Sequence, residues 1–232
     1  MKVLAIDTSN YVMGIALIEE GKVLGEYITN LQKNHSVRVM PCIEALLNEC
    51  SVKPTELDKI VVAKGPGSYT GVRIGVTIAK TLAWTLKIPL AGVSSLETLA
   101  ANGRFFNGLI SPLFDARRGQ VYTGLYEFRD GVLRSVREDQ NILLSDWAQS
   151  LKDLAKPVLF LGNDVPIHQD TVNDILGDAS VFGSISMYNP RPSELAFLGL
   201  SKPDEDIHTF VPNYIRLAEA ESKWLEQQNN SL

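Results

Sequence analysis

Apolar residues fall into short blocks near the start of the chain and into longer stripes at helical spacing after it. Val3 to Ile6, Gly14 to Ile18 and Val23 to Ile28 are blocks of strand length, and Glu19-Glu20-Gly21-Lys22 turns the second into the third. This pattern predicts a three-stranded meander. Val39, Met40, Ile43, Leu46, Leu47 and Cys50 form one apolar stripe, which predicts a helix ending at Cys50, with Asn34 or Ser36 as its cap. Ile60-Val61-Val62-Ala63 reads as a buried strand, Gly71 to Lys87 as a long helix and Pro89 to Val93 as a further strand. Ser94-Ser95-Leu96-Glu97 has the pattern of a capping box and opens a helix that Asn102-Gly103 closes. The first hundred residues thus read βββαβαβα.

The second half repeats the theme. Leu109 to Phe114, Gln120 to Phe128 and Val132 to Val136 predict another meander, with Asp115 near its first turn as Asp7 is near the first turn of the other. Ser145 is the expected cap of a short helix; a strand at Val158 to Leu161 and helices at His168 to Leu176 and Pro192 to Leu200 follow. Pro212 to Arg216 reads as extended, and Ala218 to Gln228 as a polar, helix-prone stretch. The expected organisation is two α/β lobes, residues 1–104 and 105–232, with the C-terminal tail packing back on the first lobe.

The stretch between the fourth strand and the long helix carries the most distinctive chemistry. It runs Lys64-Gly65-Pro66-Gly67-Ser68-Tyr69-Thr70-Gly71-Val72-Arg73-Ile74-Gly75. A glycine-rich turn into a helix N-terminus can receive an anion, because the first helical N–H groups lack intrahelical partners. Ser68 and Thr70 add hydroxyls there. Two familiar phosphate loops fail on spacing. G-x-x-x-x-G-K-[ST] fails because Thr70 stands five residues after Gly65, and the dinucleotide fingerprint fails because its last interval is one residue too long. A sharp, ligand-free turn is the competing reading. The same ambiguity holds for Asp7-Thr8-Ser9, which could bind a metal-phosphate or simply build an Asx or ST turn.

Composition narrows the classes. Of the 232 residues, 45% are hydrophobic, enough for a packed core rather than a disordered chain. Apolar runs stay short of the roughly 20 residues that span a membrane, and the start is too soon acidic for a signal peptide, so a cytoplasmic setting is expected. The formal net charge of −5 argues against a broad nucleic-acid surface on this chain alone. Cys42 and Cys50 share one predicted helix, roughly 12 Å apart at about 1.5 Å per residue, too far to bridge. A two-histidine metal pair starting at His35 would need a second histidine at position 39, which is Val39. No metal site of its own is expected.

Taken together, Leu4-Ala5-Ile6-Asp7-Thr8-Ser9, His35-Ser36, the glycine stretch, Asp115-Ala116-Arg117-Arg118-Gly119-Gln120-Val121-Tyr122 and Pro212-x-Tyr214-Ile215-Arg216 resemble the TsaB (YeaZ) family, in family order and across almost the whole chain. The resemblance implies an actin/sugar-kinase/Hsp70-type (ASKHA) fold of two lobes, each on a mixed sheet. It also implies a non-catalytic subunit for formation of threonylcarbamoyladenosine on tRNA. The implied partners are a catalytic TsaD-type subunit and a TsaE-type ATPase, with a homodimer in isolation and tRNA met only through the complex. No cofactor of its own is implied; a nucleotide at the partner interface is left open. Asp7, Thr8, Ser9, Gly65, Gly67, Ser68, Thr70 and Gly71 would then be a vestigial nucleotide or phosphate loop, with no catalytic residue. Nucleotide-binding members of the fold use a Gly-Gly turn in the second lobe, and this chain has no Gly-Gly dipeptide. The alternative is an autonomous ATP-dependent kinase or hydrolase of the same fold.

The apolar arc of the long helix sorts by size. Ile74, Ile78 and Leu82 form a bulky half, expected against the sheet. Gly75, Ala79 and Ala83, at i, i+4 and i+8, form a small half expected to admit a second helix, either Ser36 to Cys50 of the same chain or, as the family resemblance favours, one of a second subunit, with Val72, Arg73 and Val76 beside it in the partner interface. On that reading Ala79→Glu would leave the fold intact and break association.

Overall fold

The computed structural model describes residues 1–215. The first sheet contains β1 (Lys2–Asp7), β2 (Val12–Glu19), β3 (Lys22–Asn30), β4 (Lys59–Ala63) and β5 (Leu90–Val93), ordered β3-β2-β1-β4-β5. The first three strands are antiparallel, and β4 and β5 join parallel to β1. Helices α1 (Val39–Glu49) and α2 (Tyr69–Leu86) cover one face, and α3 (Ser95–Ala100) follows β5.

The second sheet contains β6 (Leu109–Asp115), β7 (Gln120–Arg129), β8 (Val132–Leu143), β9 (Val158–Leu161) and β10 (Ser180–Phe182), ordered β10-β9-β6-β7-β8. The second half also carries α4 (Leu144–Lys152) and α5 (Val165–Leu176), which pack on this sheet, and α6 (Pro192–Leu200), which does not. Read from the other edge, this order repeats that of the first sheet strand for strand, so the fold is a duplication. The meander signals and the paired Asp7 and Asp115 foretold it.

Differences from the sequence reading have physical causes. β8 runs seven residues past Val136 because an edge strand with one wet face tolerates Arg137, Glu138 and Asp139. The short edge strand β10 carries too little pattern to read. α4 begins at Leu144 with no side-chain cap, not from a Ser145 cap. α5 begins three residues before His168, with Pro166 in its first turn, where proline's missing N–H costs nothing. Asn34 caps a single 3₁₀ turn that precedes α1. Arg216 and the helix-prone stretch Ala218 to Gln228 lie outside the described residues.

Strand alternation explains how the first sheet buries both faces. Leu4, Ile6, Ile60 and Val62 point toward α1 and α2, whereas Val3, Ala5, Val61 and Ala63 point to the opposite face. That second face is closed by Leu195 and Ala196 of α6, a helix from the far end of the sequence. Gly199 lets α6 come close, since a Cβ there would stand 2.3 Å from Val61. In return α3, from the first half, covers the second sheet through Leu96, Leu99 and Ala100 against Ile110, Phe114 and Leu159. The lobes therefore exchange a helix, and a cut at residue 104 would part α3 from the sheet it covers.

After α6 the chain returns along the first lobe. The N–H of Glu205 donates to the Leu90 carbonyl at 2.8 Å, that of Asn213 to the Lys64 carbonyl at 2.7 Å, and Phe210 is buried in the core under α2.

The long helix is turned opposite to expectation. Ala79 and Ala83 are fully buried, Val72 and Val76 nearly so, and a Cβ on Gly75 would stand 2.5 Å from Thr8 Oγ1. The small half thus faces the chain's own sheet, because the β1–β2 turn lies close beneath the helix and only small residues fit there. Ile74, Ile78 and Leu82 are half-buried at the outer flank. Arg73 is exposed and engaged within the chain: it stacks 4.0 Å from the Tyr69 ring centre and donates from Nε to the Tyr214 hydroxyl at 2.6 Å. Ala79→Glu is therefore expected to cost more than about 4 kcal/mol, because it places an unpaired charge inside the core. Chemical denaturation of the isolated chain checks this; a variant of parental stability would restore the outward-facing assignment.

Candidate functional site

Ser68 stands at the N-cap of α2 with extended backbone, and its hydroxyl accepts the Gly71 N–H at 3.3 Å. The glycines around it are explained by contacts with protein. A Cβ on Gly67 would lie 2.1 Å from the Ser9 carbonyl oxygen, and one on Gly71 would lie 2.2 Å from that of Thr8. Two hydrogen bonds weld the turn to the loop: Ser68 N–H donates to Ser9 O at 2.7 Å, and Thr8 Oγ1 donates to Gly71 O at 2.7 Å. Gly65 takes a φ of +99°, and the Asn213 carbonyl occupies the place its Cβ would need. The loop is therefore wedged between the Asp7-Thr8-Ser9 turn and the returning C-terminal segment. The two carbonyl oxygens close the Cβ side of Gly67 and Gly71, while both glycines also border the cleft described below.

Asp7 ends β1 beneath this junction, 3% exposed. Its Oδ1 accepts the N–H of Ser9 at 2.8 Å and the Ser9 hydroxyl at 2.7 Å, which makes an Asx turn. Its Oδ2 has no partner. Burial pushes the carboxyl above its ordinary value, against the two Ser9 hydrogen bonds and nearby His35, which favour the anion. His35 donates from Nε2 to the Asn10 carbonyl at 2.7 Å, leaving Nδ1 buried and unpartnered. Asn10 Nδ2 and Arg38 Nη1 are the other unpartnered buried side-chain atoms among the described residues. Two acceptors and two donors thus stand unsatisfied on two short segments, residues 7–10 and 35–38. Buried polar atoms rarely go unpaired, so this corner is where water or a ligand group belongs.

Asn10 and His35 border a cleft of about 690 Å³ between the lobes. The first lobe contributes Tyr11, Lys33 and the Ser68-Tyr69-Thr70 entry of α2; the second contributes Phe114, Asp115, Arg117, Tyr122, Asp164 and Ile167. The Asp115–Tyr122 motif supplies part of the second wall; Phe114, Asp164 and Ile167 are marked by no motif. Its key pair joins distant positions: His168 Nε2 lies 3.1 Å from Asp115 Oδ1, and the Asp115 N–H donates to Asp164 Oδ2 at 2.9 Å. Burial raises the Asp164 carboxyl. The strand-end position of Asp115, matching that of Asp7, was the available signal.

The turn between β6 and β7 is charged and unusual. Arg117, Arg118 and Gly119 all have positive φ, at 66°, 57° and 72°. The Gln120 N–H donates to the Arg117 carbonyl at 3.0 Å, which closes a mirror-image hairpin turn of the kind that glycine and asparagine favour. Among the described residues no group of three His, Cys, Asp or Glu could hold a metal ion, and no helix is long and apolar enough to cross a membrane.

Two mixed five-stranded sheets of equal order, an exchanged helix and an interlobe cleft define a two-lobed α/β protein of the actin/sugar-kinase/Hsp70 type. The ethanolamine utilization protein EutJ from Carboxydothermus hydrogenoformans shares this fold, with a TM-score of 0.52 at 10% identity, covering 86% of this chain and 90% of that one. A Pseudomonas aeruginosa protein described as similar to the peptidase YEAZ superposes with a TM-score of 0.80 at 25% identity, over 93% of this chain and 99% of its own. The family model for TsaD, tRNA N6-adenosine threonylcarbamoyltransferase, matches residues 22–224. The tRNA threonylcarbamoyladenosine biosynthesis protein TsaB of Bacillus subtilis is 63% identical over 228 residues, covering 98% of this chain and all of that one. The TsaB of Escherichia coli is 36% identical over 55% of each chain. The chain belongs to the TsaB family, whose place is in tRNA threonylcarbamoyladenosine biosynthesis.

Asp7 gives a test of the corner beneath the loop. Its folded carboxyl holds a proton more tightly than the unfolded one, so stability falls as pH rises from the ordinary carboxylate value through the raised one. At neutral pH the full cost of the buried charge is present. Asp7→Asn keeps the oxygen that accepts from Ser9 and removes the charge. It should melt higher than the parent at pH 7, with the gap closing as pH falls toward about 4. Melting curves across that range check it; an Asn variant less stable at pH 7 would mean that the second oxygen has a partner only a carboxylate can engage.

Proposed function

We propose that this chain is the binding and activating subunit of a threonylcarbamoyl-transferring assembly, paired with a TsaD-type catalytic chain and a TsaE-type ATPase. The observation that carries the reading is the 63% identity with the Bacillus subtilis TsaB along its whole length. Two features of the cleft support a non-catalytic role. Packing on the Thr8 and Ser9 carbonyls accounts for the glycines of the loop, and arginines stand at the second-lobe turn. Both weigh against the alternative of an autonomous kinase or hydrolase. With a net charge of −5, this chain meets tRNA through its partner.

The docking face we assign is the α1–α2 side of the first lobe. Met40, Ile43, Leu47, Leu57 and Leu82 line an apolar groove of about 450 Å³ between the two helices. Met40 is exposed and Ile74, Ile78 and Leu82 are half-buried, so a continuous apolar flank meets solvent. A helix pair from a TsaD-type first lobe would complete a four-helix contact there. A second copy of this chain would use the same face when that partner is absent, so the two assemblies compete.

Met40→Asp should fold as the parent does, since Met40 is exposed, and Ile78→Asp should fold with some loss of stability, since Ile78 is partly buried against the core. Each should weaken pairing with the TsaD-type chain by about 2 kcal/mol or more, roughly thirty-fold in Kd, and lower modification of unmodified tRNA in the reconstituted system. Calorimetric titration and the modification assay read both. Parental affinity in both variants would move the interface elsewhere, and turnover by this chain alone would sink the non-catalytic reading.

A further inference from the structure

Two consecutive serines at the β5–α3 junction hold both lobes at once. Ser94 caps α3: its hydroxyl accepts the Leu96 and Glu97 N–H groups at 3.1 and 3.2 Å. The same hydroxyl donates to Asp139 Oδ2, on β8 of the second sheet. The other carboxylate oxygen of Asp139 accepts from the Tyr126 hydroxyl on β7. Gly124 leaves the room for this, since a Cβ there would stand 2.6 Å from Asp139 Oδ1. One residue on, Ser95 grips the first lobe. Its N–H donates to the Gly65 carbonyl at 3.0 Å, and its hydroxyl accepts the Gly65 N–H at 3.2 Å. A short hydrogen-bonded path thus leads from a second-lobe carboxylate to the glycine loop of the first lobe.

The placement of Asp139 is costly, which argues that its position matters. Burial raises its carboxyl, Glu97 and Glu138 raise it further, and only the Ser94 and Tyr126 hydrogen bonds oppose them. One of these acidic neighbours, Glu97, is itself held by Lys202 at 2.9 Å. Among the other side-chain links between the two halves, Arg191 pairs with Glu26 at 2.6 Å, and the asparagine bridge is much weaker in kind. Asn30 Nδ2 of β3 donates to Asn163 Oδ1 of the β9–α5 loop at 3.1 Å, in an exposed setting where water competes.

We propose that the Asp139–Ser94–Ser95–Gly65 path is an interlobe clasp that sets the opening of the cleft and the position of the glycine loop, with Asp139 as its positioning residue and the exposed Asn30–Asn163 bridge as the yielding side. Breaking the bond at Asp139 frees the α3 cap from β8 while Leu96, Leu99 and Ala100 stay packed on the second sheet, so the loosening passes through Ser95 to Gly65 and lets the cleft open.

The test uses the full chain with Cys42→Ala and Cys50→Ala, spin-labelled at Tyr11→Cys and Ile167→Cys. Both label sites are exposed residues bordering the cleft, one on each lobe. Pulsed dipolar spectroscopy should give one narrow distance distribution for the parent. Asp139→Ala should broaden it, and Tyr126→Phe should broaden it less. Arg137→Ala, on the same strand but bonded to Ser150, should leave it unchanged. Hydrogen exchange at the Gly65 amide should rise at least tenfold in Asp139→Ala. If alanine does not fold, Asp139→Asn, which keeps the shape and one acceptor, replaces it with the same expected direction. Parental distances and Gly65 exchange in a folded variant overturn the proposal. So does faster exchange confined to α3 and β8, which would leave Asp139 a local cap.

Discussion

The contact on which the rest of this molecule depends is the seating of the Asp7-Thr8-Ser9 turn against the entry of α2. Two carbonyl oxygens and a threonine side chain press into the loop and first turns of the helix, at distances that only Gly67, Gly71 and Gly75 allow. Alanine at Gly67 or Gly71 would push backbone against backbone, and neither partner can yield as a flexible side chain would. The contact fixes the height of α2 above the sheet. That height requires the small residues Ala79 and Ala83 along its inner face, and it leaves the larger Ile74, Ile78 and Leu82 at the outer flank. One local constraint therefore sets the geometry of the lobe and of the loop that borders the cleft.

The duplicated architecture explains why chemistry-bearing residues gather where they do. Equivalent strands end in Asp7 and Asp115, and the two ends face one cleft. Their environments have diverged. Asp7 is sealed under the glycine loop with one oxygen unpaired, whereas Asp115 is part-exposed and bonded to His168. The hairpin turn after Asp115 holds two arginines at positive φ, a conformation that costs a non-glycine residue on the order of 1–3 kcal/mol. Charge at that turn is thus maintained against backbone preference, next to a cleft whose other wall carries Lys33 and the α2 N-terminus.

Much of the fold was legible because it is written in local pattern. Continuous apolar blocks marked the buried strands, and the repeat of two meanders marked the duplication. What stayed hidden is non-local. No pattern in Ser95 to Ala100 says that this helix belongs on the other lobe's sheet, nor does any in Pro192 to Leu200. The inward face of α2 was misjudged for a related reason. Bulky residues usually fill a helix–sheet contact, but here the turn beneath the helix left no room, and that turn is sixty residues away in sequence. Of the site, Asp7, Thr8, Ser9 and the glycine loop are brought together as the motifs suggested, in a contact whose packing accounts for the glycines. Asp164, His168 and Asp139 carried no motif, and only the tertiary arrangement gives them meaning.

The exchange of α3 and α6 also bears on how the chain reaches its native state. The inner face of the first sheet, with Val3, Ala5 and Val61, is closed by Leu195 and Ala196, nearly the whole chain length later. A ribosome delivers the first sheet long before its cover. Until α6 emerges, that face offers bare β-branched and alanine side chains to whatever is near, and the contacts that close it have high sequence separation, which slows folding and prolongs exposure. The small size of those residues works in the chain's favour: a face of alanines and valines is flatter and less adhesive than one of leucines and phenylalanines. The lobe that is made first is thus completed last.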